Sequence, residues 1–86
     1  MRYFNLQIKA LRKPELLERL LQVTRYRCFQ LNSMNVTIND EKHLYRITMN
    51  VGAVAPIERL QLQLNKIIDV IEITVFQDSE EKNTVS

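Results

Sequence analysis

The chain has 86 residues, 45% hydrophobic and 26% charged. That is enough for one domain with one core, and too apolar for a disordered polypeptide. A formal net charge of +2 excludes the general electrostatic attraction that carries a protein to nucleic acid or to an anionic membrane. Cys28 is the single cysteine, which excludes an intramolecular disulfide and a CxxC metal or redox pair.

No apolar run approaches the roughly 18 residues a membrane span requires, and no signal-peptide pattern opens the chain, so a cytoplasmic location is expected. Charge is unevenly placed. Seven basic residues (Arg2, Lys9, Arg12, Lys13, Arg19, Arg25 and Arg27) stand against Glu15 and Glu18 in the first 27 positions. From position 78 the chain carries Asp78, Glu80 and Glu81 against Lys82. The basic excess is read first as a solvated helix face, and second as a docking surface for an acidic partner protein.

Tyr3 to Ala10 alternates, with Phe4, Leu6, Ile8 and Ala10 on one side, and this period of two predicts a half-buried strand. Leu11, Arg12 and Lys13 make a turn, and Pro14 suits the first position of a helix because its missing N–H would be unpaired there. From Pro14 to about Arg27, Leu16, Leu17, Leu20, Leu21, Val23 and Cys28 form an apolar stripe at steps of three and four. Glu15 and Arg19 have the i,i+4 spacing of an ion pair, and Arg25 and Arg27 complement the C-terminal end of the helix dipole. Cys28 reads as a small buried residue at the helix end.

A second strand follows from Phe29 to Ile38, and its phase slips. Phe29 and Leu31 share one parity, Met34, Val36 and Ile38 the other. An extra residue at Asn32–Ser33, a β-bulge, would produce that change. The polar run Asn39–Lys42 then turns the chain into a third strand with Tyr45, Ile47, Met49 and Val51 inward and Leu44, Arg46, Thr48 and Asn50 outward. Pro56 opens a second helix whose inward stripe is Ile57, Leu60, Leu64, Ile67 and Ile68, with Leu62 nearly opposite. In the last strand, Val70 to Gln77, Ile71, Ile73 and Val75 point inward, while Glu72 and Thr74, with Val70 and Phe76, take the other parity.

The order is βαββαβ, which predicts an α+β, ferredoxin-like fold: a four-stranded antiparallel sheet with both helices on one face. Residues 1–77 form the single domain, and residues 78–86 a polar tail with frayed character. The other sheet face (Tyr3, Asn5, Gln7, Lys9, Arg46, Thr48, Asn50, Glu72 and Thr74) is left for water or a partner.

That fold hosts unrelated functions, so each chemistry is tested on its own residues. Base stacking on RNA requires aromatics on the exposed face of the first and third strands, and Tyr3 alone is no platform. Gly52 is the single glycine, so no glycine-rich phosphate loop exists. His43 reads as a solvated surface residue after a turn, and nothing places it beside Ser33 or Ser79 for nucleophilic catalysis. No metal site and no intrinsic catalysis are expected.

Three runs carry a family resemblance: Pro14-Glu15-Leu16-Leu17-Glu18-Arg19, Arg27-Cys28-Phe29-Gln30-Leu31-Asn32-Ser33-Met34-Asn35-Val36, and Gln63-Leu64-Asn65-Lys66-Ile67-Ile68-Asp69-Val70. In these the chain resembles the ACT domain of acetolactate synthase small subunits, over roughly residues 3 to 77. Its brevity is most similar to the isozyme II type. The resemblance implies a regulatory, non-catalytic chain that binds and activates a large catalytic subunit in branched-chain amino acid biosynthesis, and that pairs with itself through its ACT domain. It implies that thiamine diphosphate, FAD and magnesium belong to that large partner, with no cofactor in this chain.

It also implies where an effector would sit. The asparagine and glycine that valine-sensitive relatives carry in the first loop fall on Arg12 and Glu15, either side of Pro14. Gln30 replaces a further asparagine, and Cys28 a further glycine. Glycine permits close backbone approach to a ligand, whereas Glu15 brings bulk and negative charge toward the amino acid's carboxylate. The effector positions Arg12, Pro14, Glu15 and Gln30 therefore read as degenerate, and activation without strong valine feedback is expected. Candidate contacts with the partner are Arg19 and Arg25 on the first helix, Arg46 on the sheet and Leu62. A second reading stays open: a stand-alone ACT-type amino-acid sensor or interaction domain that forms homodimers.

Overall fold

The computed structural model describes residues 2–26 and 29–77. Six elements follow one another: β1 (Arg2–Leu11), α1 (Leu16–Tyr26), β2 (Gln30–Asn39), β3 (Leu44–Ala53), α2 (Ile57–Asn65) and β4 (Val70–Gln77). The strands form one sheet in the order β2-β3-β1-β4, and each neighbouring pair is antiparallel. This is the predicted βαββαβ fold. Arg27, Cys28 and the expected tail at 78–86 lie outside the described residues.

Alternation decides which sheet face is dry. Phe4, Leu6, Ile8 and Ala10 of β1 are buried with Ile47, Met49 and Val51 of β3, while Gln7, Arg46 and Thr48 of the opposite parity are exposed. The helices close that apolar face with Leu16 and Leu20 from α1 and Ile57, Leu60 and Leu64 from α2, forming one cluster. Each such side chain removed from water contributes about 1.5–3 kcal/mol before the entropy of ordering it is subtracted.

The core stripe of α1 holds one residue the apolar pattern missed. Thr24 is fully buried, and it lies four residues beyond Leu20 and eight beyond Leu16. Its Oγ1 donates to the Leu20 carbonyl at 2.8 Å, so the hydroxyl enters the core with its hydrogen bond made. The helix begins at Leu16 rather than Pro14, because Pro14 and Glu15 form a turn. Likewise Pro56 occupies the N-cap of α2, with φ −59° and ψ 131°, one residue before the first helical position expected for it.

The bulge expected in β2 is present. Leu31 pairs with Val51 and Ser33 with Asn50, which leaves Asn32 as the extra residue. A second bulge was not anticipated. Lys9 pairs with Glu72 but Ala10 with Val70, so Ile71 is the extra residue of β4 and is 52% exposed. Val70 takes the inward position instead and packs against the core. Ile68 also departs from its predicted inward place and is 86% exposed. Its helical phase is lost because α2 ends at Asn65: the Lys66 N–H reaches the Gln63 and Leu64 carbonyls, Ile67 N–H bonds Leu64 O at 3.1 Å, and Val70 N–H bonds Ile67 O at 3.0 Å. Those tight turns keep Ile67 buried and swing its neighbour outward.

Candidate functional site

The first loop runs from Arg12 to Glu15, between β1 and α1, and all four of its residues are exposed. It is tied at several points. Leu11 N–H donates to the Asp69 carbonyl at 2.8 Å, and Arg12 N–H to the His43 carbonyl at 2.9 Å. The Arg12 guanidinium donates through Nη1 to Asp40 Oδ1 at 2.5 Å. On the helix side, Leu16 N–H bonds the Lys13 carbonyl and Arg19 N–H the Glu15 carbonyl, at 3.2 and 3.1 Å. The loop is thus a bridge from the sheet into α1, braced against the β2–β3 hairpin. Glu15 and Arg19 make no side-chain ion pair among the described residues; their link is the backbone bond.

The hairpin that receives Arg12 is itself fixed. Asp40–His43 form its turn, Asn39 Oδ1 accepts the Lys42 N–H at 3.1 Å, and His43 adopts a left-handed φ of 54°. Histidine enters that region more readily than a β-branched residue does. The expected polar turn is therefore present, but neither the left-handed residue nor the ion pair from Asp40 was legible, because Arg12 and Asp40 stand 28 positions apart.

Arg12, Pro14 and Glu15 lie together in the loop, and Gln30 does not join them within one chain. Gln30 opposes Gly52, and Gly52 opposes Tyr3; Arg12 lies nine residues further along from Tyr3, about 30 Å at the rise of a strand. A groove of about 760 Å³ lies between the end of α1 and α2, lined by Gln22, Val23, Arg25, Tyr26 and Gln63. A smaller one of about 290 Å³ crosses the outer sheet face beside Gln7, Lys9, Arg46 and Glu72. Neither takes a side chain from the first loop. Among the described residues no three His, Cys, Asp or Glu side chains gather as metal ligands would.

The four candidate contact residues are all exposed, and they occupy two faces. Arg19, Arg25 and Leu62 lie on the helix layer, with Leu62 61% exposed, while Arg46 lies on the outer sheet face between Thr37 and Lys9. That outer face also carries a chain of amides absent from the sequence reading. Asn32 Nδ2 donates to Asn50 Oδ1, and Asn50 Nδ2 to Asn5 Oδ1, each at 2.9 Å. The β2 bulge supplies its first member. No helix among the described residues is long and apolar enough to cross a membrane.

Comparison with known proteins adds the family. Residues 12–73 match the ACT domain family. The small subunit of acetolactate synthase isozyme 2 from Escherichia coli is 32% identical over 75 residues, covering 87% of this chain and 86% of that protein. The acetolactate synthase small subunit of Mycobacterium avium is 36% identical over 75 residues, covering 86% of this chain but 43% of the relative. Among solved structures, the acetolactate synthase small subunit of Thermotoga maritima superimposes with a TM-score of 0.79 at 22% identity, over 94% of this chain and 51% of that one. The ACT domain of a GTP pyrophosphokinase from Chlorobium tepidum gives 0.75 at 10% identity, which speaks for the fold alone. The acetolactate synthase relatives are small subunits, not catalytic ones.

Proposed function

Since the chain belongs to the acetolactate synthase small-subunit family of ACT domains, we propose that it is the regulatory subunit of such an enzyme, of the isozyme II type. It binds the large thiamine-diphosphate-dependent subunit in the cytoplasm, raises its activity and confers weak or no valine feedback. The observation that carries this reading is the match to a small subunit over nearly the full length of both chains. Thiamine diphosphate, FAD and magnesium are supplied by the catalytic partner.

In this role the chain does no chemistry. It lends a rigid surface that binds the active conformation of its partner more tightly than the inactive one, and the population shifts accordingly. Arg19, Arg25 and Leu62 on the helix layer and Arg46 on the sheet are its candidate contacts. The weak valine response follows from the loop: Glu15 brings bulk and negative charge toward an amino acid's own carboxylate, and the Arg12 guanidinium is engaged by Asp40.

Homodimerisation belongs to the same reading. β2 is an edge strand, and no charged side chain interrupts Gln30–Asn39, so it lacks the usual defence against strand addition. Antiparallel pairing with a second β2 must keep apolar residues opposite apolar ones, since a one-residue slip exchanges the faces. A two-fold axis at Val36 meets that condition and pairs all of residues 33–39. It would also carry Gln30 of one copy toward the hairpin of the other, returning it to the first loop.

Titration of a purified acetolactate synthase catalytic subunit with this chain, followed by sedimentation, tests the reading. A saturable complex containing both chains is expected. An isolated dimer of this chain that ignores the catalytic subunit and takes up an amino acid would contradict it.

A further inference from the structure

We propose that Arg12 and Asp40 form an internal clip, which fixes the first loop against the β2–β3 hairpin with a carboxylate belonging to the protein itself rather than to a ligand. The inference rests on the reading of the loop as a lost effector site and adds an internal contact that competes for Arg12.

Two bonds leave Arg12 for the same hairpin. Its N–H meets the His43 carbonyl and its guanidinium meets Asp40, and two points of attachment fix direction as well as position. Asp40 is presented by a turn already pinned by the Asn39 side chain. Backbone bonds tie the loop at both ends, but Arg12, Lys13, Pro14 and Glu15 are all exposed, and segments with few buried contacts open locally at low cost. The pair is solvent-accessible, with the Arg12 side chain 41% and that of Asp40 82% exposed. Its effect is therefore modest and screened by salt. A free carboxylate reaching for Arg12 competes with a tethered one, whose effective concentration is on the order of millimolar or higher.

Amide hydrogen exchange on the full chain, with no catalytic subunit present, tests the clip. Arg12→Ala and Asp40→Asn are each expected to speed exchange of the Arg12 N–H by about two- to fivefold, the range open to an exposed ion pair. The double variant should exchange no faster than either single one. Sodium chloride at about 1 M should speed the parent chain and leave the double variant unchanged, while amides around Met49 stay as slow as before. Unaltered exchange in both single variants, or a double variant in which the two effects multiply, would overturn the proposal. Because no partner is needed, that outcome is separable from a failure to bind the catalytic subunit.

Discussion

At position 43 the backbone holds a histidine at φ 54°, a region that costs a side chain with a Cβ roughly 1–2 kcal/mol. The strain is tied to the fold, because the His43 carbonyl is the acceptor for the Arg12 N–H. His43→Gly is expected to leave stability unchanged or raise it by up to about 1 kcal/mol, as relief of strain is partly offset by a freer unfolded chain. His43→Val should cost about 1–2 kcal/mol, because a β-branched residue is an outlier there; urea denaturation of the two variants measures the difference. A second pair of substitutions separates residues that the apolar periodicity treats alike. Leu20 is fully buried, whereas Ile68 is 86% exposed. Leu20→Ala should cost about 2–5 kcal/mol through the cavity it leaves, and Ile68→Ser less than about 0.5 kcal/mol. Equal losses for both would mean that α2 continues past Asn65.

Among the elements, β2 and β4 are the two edges of the sheet, and they differ. β4 carries Glu72 and the bulge at Ile71, features that discourage strand addition. β2 is uncharged and regular beyond Asn32. Val36→Lys is expected to turn the proposed β2–β2 dimer into a monomer in sedimentation equilibrium with little change in far-ultraviolet circular dichroism, since Val36 is only partly buried in the single chain. Glu72→Lys on the other edge should leave the dimer intact. The same elements mark how far the sequence could be read. Strict alternation placed the inward residues of β1 and β3, and the phase slip in β2 located its bulge at Asn32. The β4 bulge left no such trace, because Val70 and Ile71 are both apolar and either could fill the inward place. Thr24 escaped for the opposite reason: its hydroxyl finds a partner inside its own helix, so a residue counted as polar completes the core stripe. The candidate site was legible only in part. Periodicity puts Arg12 in the turn but Pro14 and Glu15 at the start of the helix, whereas all three lie in the loop before Leu16; the Asp40 that engages Arg12 and the distance from that loop to Gln30 depend on sheet register, which local patterns do not encode.

Taken whole, the molecule is a small scaffold with one dry sheet face, one polar sheet face and a first loop braced by its own residues. A chain of this length buries only about 60–70% of its unfolded surface, so binding to a partner adds to its stability by mass action. Thermal unfolding of an equimolar mixture with the catalytic subunit should therefore show the small chain melting higher than it does alone. The most direct measurement is acetolactate formation by the catalytic subunit at fixed pyruvate, with and without this chain, repeated up to millimolar valine. The proposed role predicts a rise in rate when the chain is added, and a rate that valine leaves nearly unchanged. Absence of any stimulation would contradict it at its centre, and strong inhibition by valine would contradict the account of the first loop.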